Sequence, residues 1–309
     1  MLEGYLDITN RIQKDPSKKF SFTIAYFGRK SLFAFKNRLQ DLISFFGSLS
    51  GIEVIYVDAD KMELLDVAEL ADYSRIIIPN ESISIPKAVN TAVEVSSSNF
   101  VFVLPVNYRL VALNLNETKE FFLREPSLVC MTPYIINRGK KYANLVKFGV
   151  TKDKIEWMVV ENSKNPATLT PNEFLGVYNR NLFLSLDGYN TELPSVLSEI
   201  EFGIRAWSSG CMIVSNNQIL VDKIADIEEV IDVSLFDQSK PIFKYLLAKR
   251  PILEILKDLG KVPFYLITFR FKEILYIFSE IKNFVRNRKK VSFYPPDLEK
   301  ISSVISYLP

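Results

Sequence analysis

Two hydrophobic periods alternate along the first two thirds of this chain. Phe20 to Phe27 (FSFTIAYF) alternates and is rich in aromatic and β-branched residues, which predicts a strand. Beyond a Gly28-Arg29-Lys30-Ser31 turn, apolar residues recur at Leu32, Phe35, Leu39, Leu42, Ile43 and Phe46, the spacing of a helix with one buried face. Ile52 to Val57 predicts a second strand, ending on Asp58-Ala59-Asp60. Arg75 to Ile78 predicts a third, Ile85 to Ser96 a helix, and the apolar run Phe100 to Val106 a strand covered on both sides. Strands that alternate with helices, several lacking a polar face, predict an α/β fold: a mostly parallel, Rossmann-like sheet flanked by helices.

Composition narrows the chemistry. The 309 residues, 48% of them hydrophobic, can fill one large domain with an appendage or two modest ones. No histidine occurs, so Ser-His-Asp triads, Cys-His dyads and histidine zinc sites are excluded. Proton transfer falls to carboxylates, Lys, Tyr or Cys, and any metal to oxygen ligands. Cys130 and Cys211 lie far apart in apolar surroundings and read as buried free thiols.

Residues 1–19 read as a leader helix with acidic residues where a secretory signal would be basic, and no apolar run reaches the ~18 residues that span a bilayer. A cytoplasmic location is expected. Residues 1–239 carry 24 Lys and Arg against 30 Asp and Glu, whereas residues 240–290 carry 13 against 4. That basic tail interleaves Phe264, Tyr265, Phe269, Phe271, Tyr276 and Phe278 with lysines and arginines. Such a helical region (233–309) fits an anionic membrane surface on the inner face, or packing against the core or a second subunit. Nucleic acid is not expected, because no recognised binding module surrounds the basic residues.

Ligands of open parallel sheets bind beyond the carboxyl ends of the strands. Three predicted strand ends are polar: Tyr26 to Arg29, Asp58 to Asp60 and Asn107 to Arg109. Further on, Phe174 to Val214 joins an apolar strand, an Asp187-Gly188-Tyr189-Asn190 turn and a helix with Glu199, Glu201 and Arg205. Acidic residues at i and i+2 point to different faces, so one can enter a cleft while the other stays at its rim or in solvent. Glu201 and Arg205, at i and i+4, are spaced for a surface ion pair. Trp207 is a candidate for stacking on a ligand ring or for the core.

The order of these pieces resembles the inverting family 2 glycosyltransferases of the GT-A fold. In that family an arginine-to-phenylalanine segment, a Gly-Gly-Phe-Asp-Glu run, an acidic dyad with a later arginine, and a glycine follow one another. Here Asn181 to Phe183, Asp187 to Glu192, Ser198 to Arg205 and Gly210 keep that order. FTIAYFGRKSLF resembles the family's opening strand and turn, IEVIYVDADK its nucleotide-binding strand, and Ala88 with Asn90 its Ala-x-Asn helix. The resemblance spans residues 20–215, within a domain taken as 20–232.

It implies transfer of a sugar from a nucleotide-sugar donor to a glycan or lipid-linked acceptor, with Glu199 as catalytic base. It further implies donor contacts at Tyr26, Gly28, Arg29, Asp58, Asn90, Asn107 and Arg109, and acceptor contacts at Asp187, Gly188 and Trp207. The family's Asp-x-Asp motif, which holds a manganese or magnesium ion, is matched by Pro105-Val106-Asn107, so both carboxylates are gone. Three readings stay open. Arg109 and the Arg138-Gly139-Lys140-Lys141 loop replace the metal in a metal-independent enzyme; a carboxylate from elsewhere holds the ion; or the chain is a catalytically inactive homologue that binds or scaffolds partners in glycan assembly.

Overall fold

In the computed structural model, which describes residues 4–8, 20–61, 70, 73–143, 145–150, 155–160, 166–224, 259–267, 270–288 and 305–307, the alternating periods form a ten-stranded sheet with helices on both faces. Its strands are β1 (Tyr5–Ile8), β2 (Phe22–Gly28), β3 (Ile52–Asp58), β4 (Arg75–Pro79), β5 (Phe100–Pro105), β6 (Tyr108–Ala112), β7 (Leu128–Asn137), β8 (Lys140–Tyr142), β11 (Gly176–Asn179) and β12 (Met212–Lys223). Across the sheet they run β1-β4-β3-β2-β5-β11-β7-β12-β6, with β8 joined to β7. Strands β9 (Leu145–Val150), β10 (Ile155–Val160) and β13 (Ile305–Tyr307) make a separate small sheet.

The pairings set β2, β3, β4, β5, β7 and β12 in one direction, with β1, β6 and β11 running against them. Six carboxyl ends therefore open along one edge of the sheet. That edge is where an α/β sheet collects ligands.

Helices α1 (Leu32–Phe46), α2 (Ile85–Val95), α3 (Leu115–Arg124), α4 (Arg180–Ser185) and α5 (Ser195–Ser208) follow. Leu32, Phe35, Leu39 and Leu42 of α1 bury against Tyr26, Tyr56, Leu104 and Tyr108, and Phe122 of α3 joins this layer. On the other face Ala88, Val89 and Ala92 of α2 meet Phe183 of α4 and Ile200, Phe202 and Trp207 of α5. Ser84 caps α2 by accepting the Lys87 N–H at 3.4 Å, and Pro86 in the first turn has no N–H to leave unpaired. Arg180 closes the other end by donating to the carbonyls of Val93 and Glu94 at 3.1 and 2.8 Å.

The strands and helices expected between Phe20 and Val106 are present within a residue or two of their expected limits. Two expectations are corrected. Tyr5–Ile8, read as part of a leader helix, is a strand, because its backbone completes the free edge of β4 with Tyr5 opposite Pro79 and Ile8 opposite Ile76. The C-terminal extension is not helical throughout: α6 (Val262–Ile267) and α7 (Phe271–Arg288) are followed by β13, which pairs with β9. Residues 225–258 and 289–304, which hold much of the basic tail, lie outside the described residues, as do residues 9–19.

Helix α5 lies close against the segment that precedes β11. A Cβ on Gly203 would come 2.2 Å from the Leu169 carbonyl oxygen, which is backbone and cannot swing aside. Gly203→Ala is expected to lower the unfolding free energy by about 1–3 kcal/mol in urea denaturation. Gly139, with φ +78 and nothing within 4 Å of its Cβ position, is the contrast. Gly139→Ala is expected to cost about 1–2 kcal/mol through backbone strain alone.

Candidate functional site

The first loop of the carboxyl edge is built around Asp58. Its Oδ1 accepts the N–H groups of Lys30 and Asp60 at 3.0 and 2.8 Å. Its Oδ2 accepts the Ser31 N–H at 3.3 Å and the Tyr56 hydroxyl at 2.5 Å. Burial pushes its carboxyl pKa up, against these hydrogen bonds, which lower it. Asp58, expected to contact a nucleotide, is thus engaged in folding the turn that carries Lys30 at φ +46. Gly28 has no room for a side chain, since a Cβ would meet Ser31 Oγ at 1.9 Å and Val106 at 2.9 Å. Arg29 is exposed at the rim and pairs with Asp60 at 2.9 Å.

Tyr26 does not reach this edge. Its ring is fully buried between β2 and α1, 5.9 Å from the Phe35 ring, and burial raises its pKa. In a strand, alternate residues point to opposite faces, and Tyr26 points to the α1 face. Trp207 is likewise a core residue, 7% exposed, whose indole N–H donates to the Thr168 carbonyl at 3.0 Å. Neither is placed to contact a ligand.

Where β5 ends, the chain turns through Val106 and Asn107 into β6. Asn107 is fully buried, and neither its amide nitrogen nor its oxygen has a hydrogen-bond partner. Its carbonyl accepts the Ile224 N–H at 2.8 Å, which ties the end of β12 to the end of β5. Lys223, one residue before, places its ammonium 3.2 Å from Glu173 Oε1 and 5.8 Å from the centre of the Tyr108 ring. Asp222 pairs with Arg109 at 2.7 Å, so Arg109 is half exposed and already bridged. Arg138 and Gly139 form the tight β7–β8 turn at the same edge, with Arg138 and Lys140 exposed. Lys141 instead donates to the Asn217 carbonyl at 3.4 Å.

Helix α5 approaches from behind. The Glu199 carboxylate, 1% exposed, accepts the Phe174 N–H through Oε1, and Oε2 has no hydrogen-bond partner. Glu173 and Phe174 both hold left-handed backbone, φ +57 and +58, which is strained for residues with side chains. The Phe174 ring packs edge-on against Phe27 and Tyr189. Burial raises the Glu199 pKa well above its ordinary value, and the neighbouring Glu173 charge adds to the rise. Glu201, expected at a rim or in solvent, is also 1% exposed. Arg205 grips it through Nε and Nη2 at 3.0 and 2.8 Å, so the expected surface pair is a buried, two-pronged one.

The same Arg205 donates to the Gly188 carbonyl at 2.7 Å. Asn90 pairs with both backbone groups of Tyr189, accepting its N–H at 2.8 Å and donating to its carbonyl at 2.7 Å. The Asp187-Gly188-Tyr189 turn is therefore held from α2 and α5 together. Asp187 and Gly188 are both at φ +59, and Asp187 is exposed. Asn90, expected at the donor, here spends its amide on positioning this wall.

No family profile matches the chain, and no curated protein matches its sequence. Among solved structures it is similar to GalNAc-T7 with UDP, GalNAc and Mn2+, at TM-score 0.53 and 10% identity, over 69% of this chain and 45% of that one. The chain thus spans a little under half the length of that protein. S. aureus TarS residues 1–349 with UDP-GlcNAc (TM-score 0.48, 16% identity, 74% and 68% covered) superposes more loosely. So does the mannosyltransferase PcManGT from Pyrobaculum calidifontis with GDP-Man and Mn2+ (0.48, 13%, 79% and 66%). The chain has a GT-A-like glycosyltransferase fold.

The GalNAc-T7 structure holds UDP together with a divalent ion, Mn2+. As arranged here, the donor set does not fit one. Asn107 offers one neutral oxygen, and the nearby Glu173 carboxylate is occupied by an ammonium at 3.2 Å. Among the described residues, no three Asp, Glu or Cys side chains stand together as an ion site. Glu173, Asp222 and Lys223 did not stand out in the sequence, for they belong to no motif: Asp222 meets Arg109 through the β6–β12 ladder, and Lys223 meets Glu173 only through tertiary pairing.

The raised pKa of Glu199 fixes a sign. A carboxyl that is harder to ionise in the fold than in the unfolded chain contributes stability below its ordinary value of 4.5, and loses it as pH rises toward the folded value. Glu199→Gln keeps the acceptor for Phe174 without the ionisation. Urea unfolding at pH 5 and pH 8 is expected to show a loss in the wild type that shrinks in E199Q, at about 1.4 kcal/mol per pH unit spanned.

Proposed function

We propose that this chain transfers a sugar from a nucleotide-sugar donor to a glycan or lipid-linked acceptor, with inversion and without a bound metal. The observation that carries this reading is Glu199: a buried carboxyl with one unpartnered oxygen, set behind the carboxyl edge of a GT-A-like sheet. A base needs a pKa near the working pH, and burial raises that of Glu199. In this reading the oxygen of an acceptor hydroxyl forms the new bond to the anomeric carbon as the bond to the diphosphate breaks, and Glu199 takes the hydroxyl proton. Gly28, Arg29, Asn107 and Arg109 line the donor side. Asp187 and Gly188 form the acceptor wall, while Asp58 and Asn90 hold the loops.

A second reading, an inactive homologue that binds or scaffolds in glycan assembly, is supported by how completely Asp58 and Asn90 are used within the protein. Thermal-shift measurements with UDP-, GDP- and dTDP-sugars, with and without manganese, separate the two. Stabilisation by one donor in the absence of manganese is expected, and no shift with any donor would leave only the binding reading. Glu199→Gln is then expected to lower turnover by about 10²-fold or more while donor binding stays within a factor of a few.

A peripheral membrane role on a cytoplasmic face is part of the proposal. No helix among the described residues is long and apolar enough to cross a bilayer. On α7, exposed Phe271, Leu275, Phe278 and Val285 fall on one stripe beside exposed Lys282, next to buried Ile274 and Ile277. An apolar stripe with a basic partner suits an anionic lipid surface. Flotation with vesicles containing anionic lipid is expected to carry the full chain, and Phe271→Ser with Phe278→Ser to reduce it; equal flotation of both would remove the membrane role.

A further inference from the structure

We infer that Lys223 is the cation that meets the diphosphate of the donor, and that it exchanges Glu173 for the diphosphate when the donor arrives. This rests on the transferase reading above and names the group that replaces the metal in it. Three independent placements lead to Lys223. The Ile224 N–H to Asn107 carbonyl bond, 2.8 Å, fixes the end of β12 against the end of β5 at the ligand edge of the sheet. The ammonium is held between the Glu173 carboxylate and the Tyr108 ring, with its side chain only 16% exposed. Charges are less screened there than at the open surface. The Asn107 side chain, wholly buried, leaves both its donor and its acceptor unmatched at the same junction. A buried amide without partners is costly, and an oxyanion is the kind of ligand that its N–H2 would satisfy.

The other cations of this edge are less suited. The side chains of Arg109 and Arg29 are 45% and 42% exposed, and Arg138 and Lys140 are exposed to water, whereas Lys223 is largely covered.

That trade has a consequence for the base. Glu173 belongs to the strained pair Glu173-Phe174, whose N–H occupies one oxygen of Glu199. Four contacts restrain the pair: the Lys223 ion pair, the Glu199 hydrogen bond, the Tyr178 hydroxyl that donates to the Phe174 carbonyl at 2.8 Å, and the Phe174 packing; only the first is with an exchangeable surface cation. Removing the first lets the strained backbone relax and opens the way to Glu199. During transfer the electron pair of the breaking anomeric C–O bond passes to the diphosphate oxygen, and Lys223 stabilises that charge without giving up its proton.

Calorimetric titration of the full chain with UDP and with GDP, each in EDTA and in manganese, tests the inference. One of the two is expected to bind in EDTA, Lys223→Met to weaken it at least about tenfold, Lys223→Arg to hold it within about threefold, and Glu173→Gln to tighten it. Because Lys223→Met leaves Glu173 unpaired, Lys223→Met with Glu173→Gln is the fold-preserving companion, and it too is expected to bind weakly. Equal binding by wild type and both Lys223→Met variants overturns the role of Lys223 while leaving the transferase reading in place. Binding that requires manganese does the same. No binding of either nucleotide by the wild type under any condition overturns the transferase reading itself.

Discussion

The hydrogen bond from the Phe174 amide to the buried Glu199 carboxylate joins the two halves of this site. It fastens α5 to the turn that precedes β11, and that turn in turn reaches Lys223 and the β5–β12 junction. Together with the Tyr178 hydroxyl on the Phe174 carbonyl, it holds two successive left-handed residues at Glu173 and Phe174, each strained by about 1–2 kcal/mol. Gly203 allows the approach, because only a residue without a Cβ fits against the Leu169 carbonyl. Backbone fit, a buried carboxyl and a strained turn are thus one arrangement.

Charge along the carboxyl edge follows the same economy. Arg29 is paired with Asp60, Arg109 with Asp222, Lys223 with Glu173 and Arg205 with Glu201. Exposed pairs such as the first add little stability. The Glu201–Arg205 pair differs, since Glu201 is buried and Arg205 also holds the Gly188 carbonyl, so breaking it would disturb both α5 and the Asp187-Gly188-Tyr189 turn. Lys223 and Glu173 lie between these cases, covered enough to interact strongly and open enough to exchange partners.

Much of the fold was legible from periodicity. The runs Phe20 to Phe27, Ile52 to Val57 and Phe100 to Val106 are strands because their residues are apolar on both faces, and a sheet covered on both sides needs that. Tyr5–Ile8 was not legible, because its strand depends on the distant edge of β4 rather than on its own pattern. The site was read less well for the same reason. The resemblance singled out Glu199 through the family's acidic dyad but not its burial against Phe174, and nothing local distinguishes Asp58 as a loop clasp from Asp58 as a nucleotide contact. Tyr26 was misplaced because one step in register along a strand moves a side chain to the opposite face. Glu173 and Lys223 lie 50 residues apart in sequence and become neighbours only through tertiary pairing.

Release of the Glu173-Phe174 turn by an anion at Lys223 is the step on which the proposed role of Glu199 depends. Amide hydrogen exchange of the segment around Phe174, followed with and without a saturating nucleoside diphosphate in EDTA, reads this directly. Faster exchange at Phe174 on nucleotide binding is the predicted result. Exchange that is unchanged or slowed there, with the nucleotide bound, would contradict the account.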